Sequence, residues 1–174
     1  MEPRGDASDS FGRPRFSEGR GFRRSCAFPL PESACQAPII LEVDVSFRGR
    51  SFLSILDYSP DEIHTILRLA LQLKDDQRAG RSHAVLQGKT LGMVFQKNST
   101  RTRVSFEVGM SQLGGQALFL SANDLQLNRG ETIADTARVL GRFLDGIMAR
   151  TYAHADVADL AHYSGVPVIN GLSD

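Results

Sequence analysis

Several features that would mark a particular class of protein are scarce or absent in this sequence. Its 174 residues include no tryptophan and only two cysteines, Cys26 and Cys35. Two thiols are too few for a disulfide framework or a structural zinc site, so we expect both cysteines to be free. No apolar run reaches the ~20 residues that a membrane-spanning helix requires. The start of the chain has no apolar segment of the kind found in secretory signals, so we expect no such signal. We also expect no membrane partner.

An excess of charge of one sign is also missing. The chain has 20 basic and 20 acidic side chains, which argues against a protein dedicated to nucleic acid or to a membrane surface. The dinucleotide-binding motif Gly-x-Gly-x-x-Gly does not occur. Gly88-Lys89-Thr90 resembles the end of a phosphate-binding P-loop, but His83 stands where that motif needs its first glycine. The spacing of His83, His154 and His162 is not that of metal ligands.

The first 50 residues differ in composition from the rest of the chain. They are rich in arginine, glycine, serine and proline and show little hydrophobic periodicity, so we predict a disordered N-terminal extension over 1–50. Its arginines are typical of an organelle transit peptide, whereas its acidic residues are not. The compartment therefore stays open: a chloroplast or mitochondrion if 1–50 is a transit segment, and otherwise the cytoplasm.

Beyond residue 50, strands and helices alternate. Ser59-Pro60-Asp61-Glu62 is a helix-start signal with a capping box, and apolar residues recur behind it at helical spacing until Gly80. The later pattern predicts four strands, at 89–95, 116–121, 146–149 and 166–169, separated by helices at 100–113, 133–144 and 155–163. This order predicts an α/β fold over residues 51–174, with a parallel sheet and flanking helices.

Polar residues follow three of these strands, and in an open parallel sheet ligands bind beyond the carboxyl ends of the strands. The residues are Ser99, Thr100, Arg101 and Thr102 after the first strand, Arg150 after the third and Asn170 after the fourth. Free N–H groups at a helix start, hydroxyls and guanidinium forks together suit a phosphate. The alternatives are an N-capped surface helix with solvated arginines, an edge salt bridge for Arg150 and a turn at Asn170.

The same residues carry a resemblance to a known family. Phe95-x-Lys97-x-Ser99-Thr100-Arg101-Thr102 resembles the carbamoyl-phosphate signature of the aspartate and ornithine carbamoyltransferases. In that family the Lys97 position holds glutamate in the aspartate branch and lysine in the ornithine branch, so the resemblance points to ornithine. Segments 131–140, 149–150 and 167–174 are also similar to ornithine carbamoyltransferases. The likeness therefore runs from near Phe52 to the last residue.

This resemblance implies a site and a reaction. Carbamoyl phosphate would bind to Ser99, Thr100, Arg101, Thr102 and Arg150, of which Arg101, Thr102 and Arg150 would be catalytic. Gln126, in the loop 122–130, would reach the site of a neighbouring subunit in a homotrimer. The carbamoyl group would pass to the side-chain amine of ornithine, giving citrulline and phosphate, a step of arginine biosynthesis and the urea cycle. This chemistry requires no metal or organic cofactor.

The resemblance also implies segments that we do not find in the sequence. A His-Pro-x-Gln segment is expected just after Asp174, followed by a C-terminal ornithine-binding domain, so we expect little activity from the 174 residues alone. Two other hypotheses stay open. One is transfer to a different amine acceptor, although Lys97 disfavours aspartate. The other is a non-catalytic module that binds carbamoyl phosphate, or that binds partner subunits through its first helix or the loop 122–130.

Overall fold

The computed structural model describes residues 47–122, 125 and 130–174. The predicted N-terminal extension falls almost entirely on residues 1–46 and lies outside the described residues, as does Gln126. Within the described ranges, no helix is long and apolar enough to cross a lipid bilayer. The same ranges contain no group of three or more histidine, cysteine or acidic side chains placed to hold a metal ion.

Four parallel strands form one sheet in the order β2-β1-β3-β4. The strands are β1 (Thr90–Phe95), β2 (Gln116–Ser121), β3 (Gly146–Arg150) and β4 (Val168–Asn170). The α-helices of the described residues are α1 (Pro60–Arg78), α2 (Thr100–Gln112), α3 (Ile133–Leu140) and α4 (His154–Ser164). The predicted α/β fold with a parallel sheet and flanking helices is confirmed.

The two central strands are the most apolar, because both of their faces are covered. In β1 every residue after Thr90 is buried, and in β3 the three residues before Arg150 are buried. Continuous apolar runs of this kind are typical of parallel strands between two helical layers. The strand β2 lies at the edge, and its Leu118 is 47% exposed. The sheet therefore has its rigid centre at β1 and β3, which also lead into the predicted site.

Each face of the sheet has its own hydrophobic core, since successive side chains of a strand point to opposite faces. The core on the side of α3 and α4 consists of Val94, Ala137, Leu144, Ile147, Ala149, Val157, Leu160 and Val168. The core on the side of α2 consists of Leu91, Met93, Phe95, Met110 and Met148. Burial of this apolar surface is the main force that fixes the strand ends relative to one another.

The helix α1 begins as predicted but buries less than its pattern suggests. Ser59 Oγ accepts a hydrogen bond from the Glu62 N–H at 3.3 Å, and Glu62 Oε2 accepts one from the Ser59 N–H at 2.8 Å. This capping box is confirmed. However, Leu67 and Leu71 of the apolar stripe are 54% and 62% exposed. Side chains of α1 instead line a cavity of about 490 Å³ beside Pro167 and Ile169 of the sheet.

The last two strands end one residue later than the sequence pattern predicts. Arg150 pairs in register with Phe95, and Asn170 pairs with Ala149, so both polar residues belong to the sheet. The strand β4 also starts later than predicted, at Val168, because Pro167 has no N–H to donate to a neighbouring strand. Arg150 and Asn170 are therefore held by the sheet itself and not by a free loop.

Candidate functional site

Three strand ends meet at the carboxyl edge of the sheet. The Gln96 N–H, just after β1, donates to the Arg150 carbonyl at 2.8 Å, and the Gly171 N–H, just after β4, donates to the Ala149 carbonyl at 2.7 Å. These bonds continue the strand pairing beyond the sheet. As predicted, the segment that leads to Ser99 and the end of β3 with Arg150 lie at the same edge.

Ser99 and Thr102 form the start of α2. Ser99 is the N-cap, with extended backbone angles, and its Oγ accepts a hydrogen bond from the Thr102 N–H at 3.3 Å. Ser99 Oγ also donates to Thr102 Oγ1 at 3.0 Å. A hydroxyl rotates and can both donate and accept a hydrogen bond, so each of these two hydroxyls can also bond a ligand. Thr100 is exposed at the first position of the helix.

The first turn of α2 differs from that of the other helices in its charge. Acidic residues occupy the first turns of α1, α3 and α4, where they match the positive end of the helix dipole. In α2 the first turn has no acidic residue and contains Arg101 instead. Arg101 is exposed, and within the described ranges it has no ion pair. The end of this helix is therefore positive and unneutralised, which suits an anionic ligand.

Arg150 places a second cation at the same edge, and it has no acidic partner in the part of the chain that the structure describes. Its Nη1 donates to the Gly171 carbonyl over a long 3.4 Å. Its Nε is buried and has no hydrogen-bond partner among the described residues. A buried polar group without a partner costs free energy, more so when it carries charge. An external anion at this position would satisfy the guanidinium.

Two other cations near this edge are already neutralised within the chain. Arg103 Nε lies 2.9 Å from Glu107 Oε1, and its guanidinium carbon lies 3.8 Å from the centre of the Phe119 ring. Lys97 forms an ion pair with Asp174, and its Nζ lies 4.8 Å from the centre of the Tyr152 ring. Arg101 and Arg150 thus differ from these neighbours, because neither has an acidic partner among the described residues.

Asn170 holds the turn that follows β4. Its Nδ2 donates to the Leu53 carbonyl at 3.0 Å and to Ser173 Oγ at 3.1 Å, and its Oδ1 accepts from the Leu172 N–H at 3.0 Å. Leu172 has a φ of 123°, a backbone conformation that non-glycine residues rarely adopt. The turn proposed as the alternative for Asn170 is therefore present, and the amide has no hydrogen-bonding atom left idle.

Gln126 lies outside the described residues, so its position relative to this edge stays a prediction. Gln96, in contrast, was not among the predicted site residues, yet both ends of its amide contact other segments at this edge. The available signal was its position, since it is the first polar residue after the buried strand β1.

Taken together, the parallel sheet, the acid-free start of α2 and two cations without acidic partners among the described residues define the class: an α/β domain with a sheet edge suited to an anion. The family model described as the carbamoyl-P binding domain of aspartate/ornithine carbamoyltransferase matches residues 50–174. The chain belongs to the aspartate/ornithine carbamoyltransferase family.

Individual relatives agree with this assignment. The chain is 65% identical to the ornithine carbamoyltransferase of Pyrococcus horikoshii over 130 residues, which cover 75% of this chain and 41% of that protein. The solved ornithine carbamoyltransferase of Pyrococcus furiosus matches with a TM-score of 0.70 and 64% identity, over 72% of this chain and 40% of that one. The anabolic ornithine carbamoyltransferase of Campylobacter jejuni matches with a TM-score of 0.67 and 48% identity, over the same shares.

Proposed function

We propose that this domain binds carbamoyl phosphate at the carboxyl edge of the sheet, as the carbamoyl-phosphate-binding part of an ornithine carbamoyltransferase. The observation that carries the proposal is the buried Nε of Arg150, which has no partner among the described residues and lies at the same edge as the acid-free start of α2. A phosphate there would meet a positive helix end and two guanidiniums. The family assignment names the ligand that fits this chemistry.

In this proposal, different residues contact the phosphate group and the carbamoyl end of the ligand. The phosphate group accepts hydrogen bonds from the first N–H groups of α2, from the hydroxyls of Ser99 and Thr100 and from the Arg101 fork. The Thr102 hydroxyl and the guanidinium of Arg150 face the carbamoyl oxygen and the bridging oxygen. Arg101, Thr102 and Arg150 are the catalytic residues, because charge develops at the groups they contact.

The reaction is an acyl transfer from a mixed anhydride to an amine. The neutral side-chain amine of ornithine attacks the carbonyl carbon, the new C–N bond forms, and the C–O bond to phosphate breaks. The nitrogen loses a proton, and the products are citrulline and inorganic phosphate. Negative charge grows on the carbonyl oxygen and on the leaving phosphate, so fixed donors at both positions lower the barrier. Removal of one such donor in other enzymes costs about 10²–10³ in rate.

We infer that the binding site for the second substrate, ornithine, requires residues beyond these 174. The chain spans 41% of the length of the Pyrococcus horikoshii relative. We place the ornithine site mainly in the additional length of such relatives, and we expect little turnover from residues 51–174 alone because the reaction depends on holding both substrates together. Lys97 favours ornithine over aspartate as the acceptor, by its place in the signature.

Assembly into a homotrimer is part of the same proposal. Val104 and Val108 of α2 and Leu118 of β2 are 50%, 46% and 47% exposed. Such side chains favour contact with another subunit where they form one contiguous apolar patch. Gln126 of one subunit would then reach the phosphate of its neighbour. Sedimentation of the chain with and without carbamoyl phosphate tests this step. A monomer under both conditions contradicts assembly by this domain alone.

Calorimetric titration with carbamoyl phosphate tests the proposed ligand. We expect the unmodified chain to bind and Arg101→Ala to bind at least about 100-fold more weakly, because a bidentate charge-assisted contact is lost. Arg103→Ala is the matched control: it removes an arginine two positions away that already pairs with Glu107. Equal binding by the unmodified chain and Arg101→Ala contradicts the proposal. A trimer that does not bind the ligand favours the non-catalytic module.

A further inference from the structure

The side chain of Gln96 bridges two segments at the carboxyl edge. Its Nε2 donates to Asp156 Oδ2 at 2.8 Å, and its Oε1 accepts from the Tyr152 N–H at 3.0 Å. Its own N–H donates to the Arg150 carbonyl at 2.8 Å. Three hydrogen bonds therefore run from this one residue to the stretch between the end of β3 and the first turn of α4.

These bonds fix which way the amide points. The carboxylate of Asp156 accepts only, and the Tyr152 N–H donates only, so the amide must present its NH₂ to the first and its oxygen to the second. Gln96 and Asp156 are both half-buried, which favours a bond to a charged acceptor over its replacement by water. The geometry thus determines both the residue type and its orientation.

Arg150 depends on this arrangement because its own side chain has little else to hold it. The single hydrogen bond from its guanidinium to the described residues is the long contact with Gly171. Its backbone is paired with Phe95 in the sheet, and Gln96 adds one bond to the Arg150 carbonyl and one to the Tyr152 N–H two residues on. The same Gln96 begins the segment that runs to the Ser99 cap. Gln96 therefore adds side-chain links between the two cationic halves of an edge that the sheet already holds in register.

We propose that Gln96 is a positioning residue, which places Arg150 against the start of α2 for the phosphate ligand. The inference rests on the proposed function for the identity of that ligand, but the contacts themselves are present without it. Gln96 does not touch the ligand in this arrangement. It acts through the Arg150 backbone and through Asp156.

Two variants of the 174-residue chain test the inference. Gln96→Met keeps the length of the side chain and changes no charge, so weaker binding cannot come from a change in net charge. Gln96→Glu combined with Asp156→Asn reverses the hydrogen bond, since the new amide donates to the new carboxylate, and leaves the local net charge unchanged. Gln112→Met, an exposed site at the far end of α2, is the matched control.

Three measurements are made on each variant: carbamoyl phosphate affinity by calorimetry, hydrogen exchange of the Tyr152 amide by NMR without ligand, and the thermal unfolding midpoint. We expect about a 10-fold loss of affinity in Gln96→Met, from the loss of a hydrogen bond to a charged group. Exchange at the Tyr152 amide should be faster in this variant. The double variant should restore both values, and Gln112→Met should change neither.

The outcomes separate the inference from the proposed function. Unchanged exchange at Tyr152 in Gln96→Met, or a double variant no better than Gln96→Met, overturns the positioning role. Carbamoyl phosphate binding that is the same in Gln96→Met and the unmodified chain also overturns it. If the unmodified chain does not bind carbamoyl phosphate, the proposed function fails, and the exchange measurement still decides whether Gln96 holds the Arg150 segment.

Discussion

The two edges of the sheet differ in how their charged side chains are paired. At the amino edge, Lys89 Nζ lies 2.8 Å from Asp145 Oδ1, and Asp145 Oδ2 accepts a hydrogen bond from the Thr90 N–H at 2.9 Å. At the carboxyl edge, Arg101 has no ion pair and Arg150 has no acidic partner, as far as the described residues go. The charges at the amino edge are paired with each other. At the carboxyl edge, Arg101 and Arg150 have no acidic partner among the described residues, although their neighbours Lys97 and Arg103 do.

This difference separates charges that are paired within the fold from charges that the proposed ligand would neutralise. The ion pair of Lys89 and Asp145 ties the start of β1 to the residue before β3, and the bond from Lys89 holds the pKa of the Asp145 carboxyl below its usual value. An added anion would gain little there. At the carboxyl edge an anion would satisfy donors that are otherwise idle. Substitutions at the two edges should therefore affect different quantities.

Among the substitutions that compare the two edges, the largest effect is expected for Arg150→Lys, which keeps the positive charge but removes the planar fork. Lysine cannot reproduce the Nε and Nη donors with their fixed geometry, so carbamoyl phosphate affinity should fall about 10- to 100-fold. The unfolding midpoint should change little. Arg138→Lys is the control, because Arg138 pairs with Asp135 on α3 and faces the ring of Tyr163 at the end of α4. Equal losses of affinity in both variants contradict a special role for Arg150.

A smaller effect is expected for Ser99→Ala, because Ser99 both caps α2 and is proposed to contact the ligand. The N-cap is lost at a cost of about 1 kcal/mol in the free energy of unfolding. The hydroxyl is also lost from the edge, so affinity should fall roughly 5-fold, the equivalent of one neutral hydrogen bond. Calorimetry and denaturant unfolding measure the two quantities.

The chain offers a matched control for Ser99→Ala. Ser59 caps α1 with the same 3.3 Å hydrogen bond to the third residue of its helix, far along the sequence from the edge residues. Ser59→Ala should lower the free energy of unfolding by a similar amount and leave affinity unchanged. A loss of affinity in Ser59→Ala equal to that in Ser99→Ala would mean that affinity follows stability alone.

Much of the fold was predictable because its local signals agree with its tertiary structure. The apolar runs of β1 and β3 and the Ser-Pro-x-Glu start of α1 are such signals, and each is found where it was predicted. The exposure of Leu67 and Leu71 was not predictable, since helical periodicity reports that a face is apolar and not what lies against it. The later start of β4 follows from Pro167, a signal that was present but unused.

The residue types of the candidate site were predictable from the sequence, but their side-chain contacts were predictable only in part. The edge shared by the Ser99 segment and Arg150 follows from parallel strand ends alone. Which cations are free does not, because the partners of Arg103 and Lys97 depend on side-chain directions that spacing does not give. The same holds for Gln96, whose partners lie 56 and 60 residues away in the sequence.

The smallest effect is expected for Asp145→Asn, at the amino edge. Because the folded-state pKa of Asp145 is lowered, this carboxylate stabilises the fold at pH above its unfolded pKa of about 3.9. That contribution is lost as the pH falls through the lower folded-state pKa. The thermal unfolding midpoint of Asp145→Asn should therefore lie slightly below that of the unmodified chain at pH 7, and the gap should close in acid. Carbamoyl phosphate affinity should not change.

The control for Asp145→Asn is Asp75→Asn on α1, whose carboxylate is well exposed and lies 3.8 Å from Arg78. An exposed pair of this kind contributes little, so its midpoint should follow the unmodified chain at every pH. A fall in affinity in Asp145→Asn as large as that in Ser99→Ala would remove the distinction between the two edges. In that case the charges of the amino edge would also influence ligand affinity, through the sheet that connects the two edges.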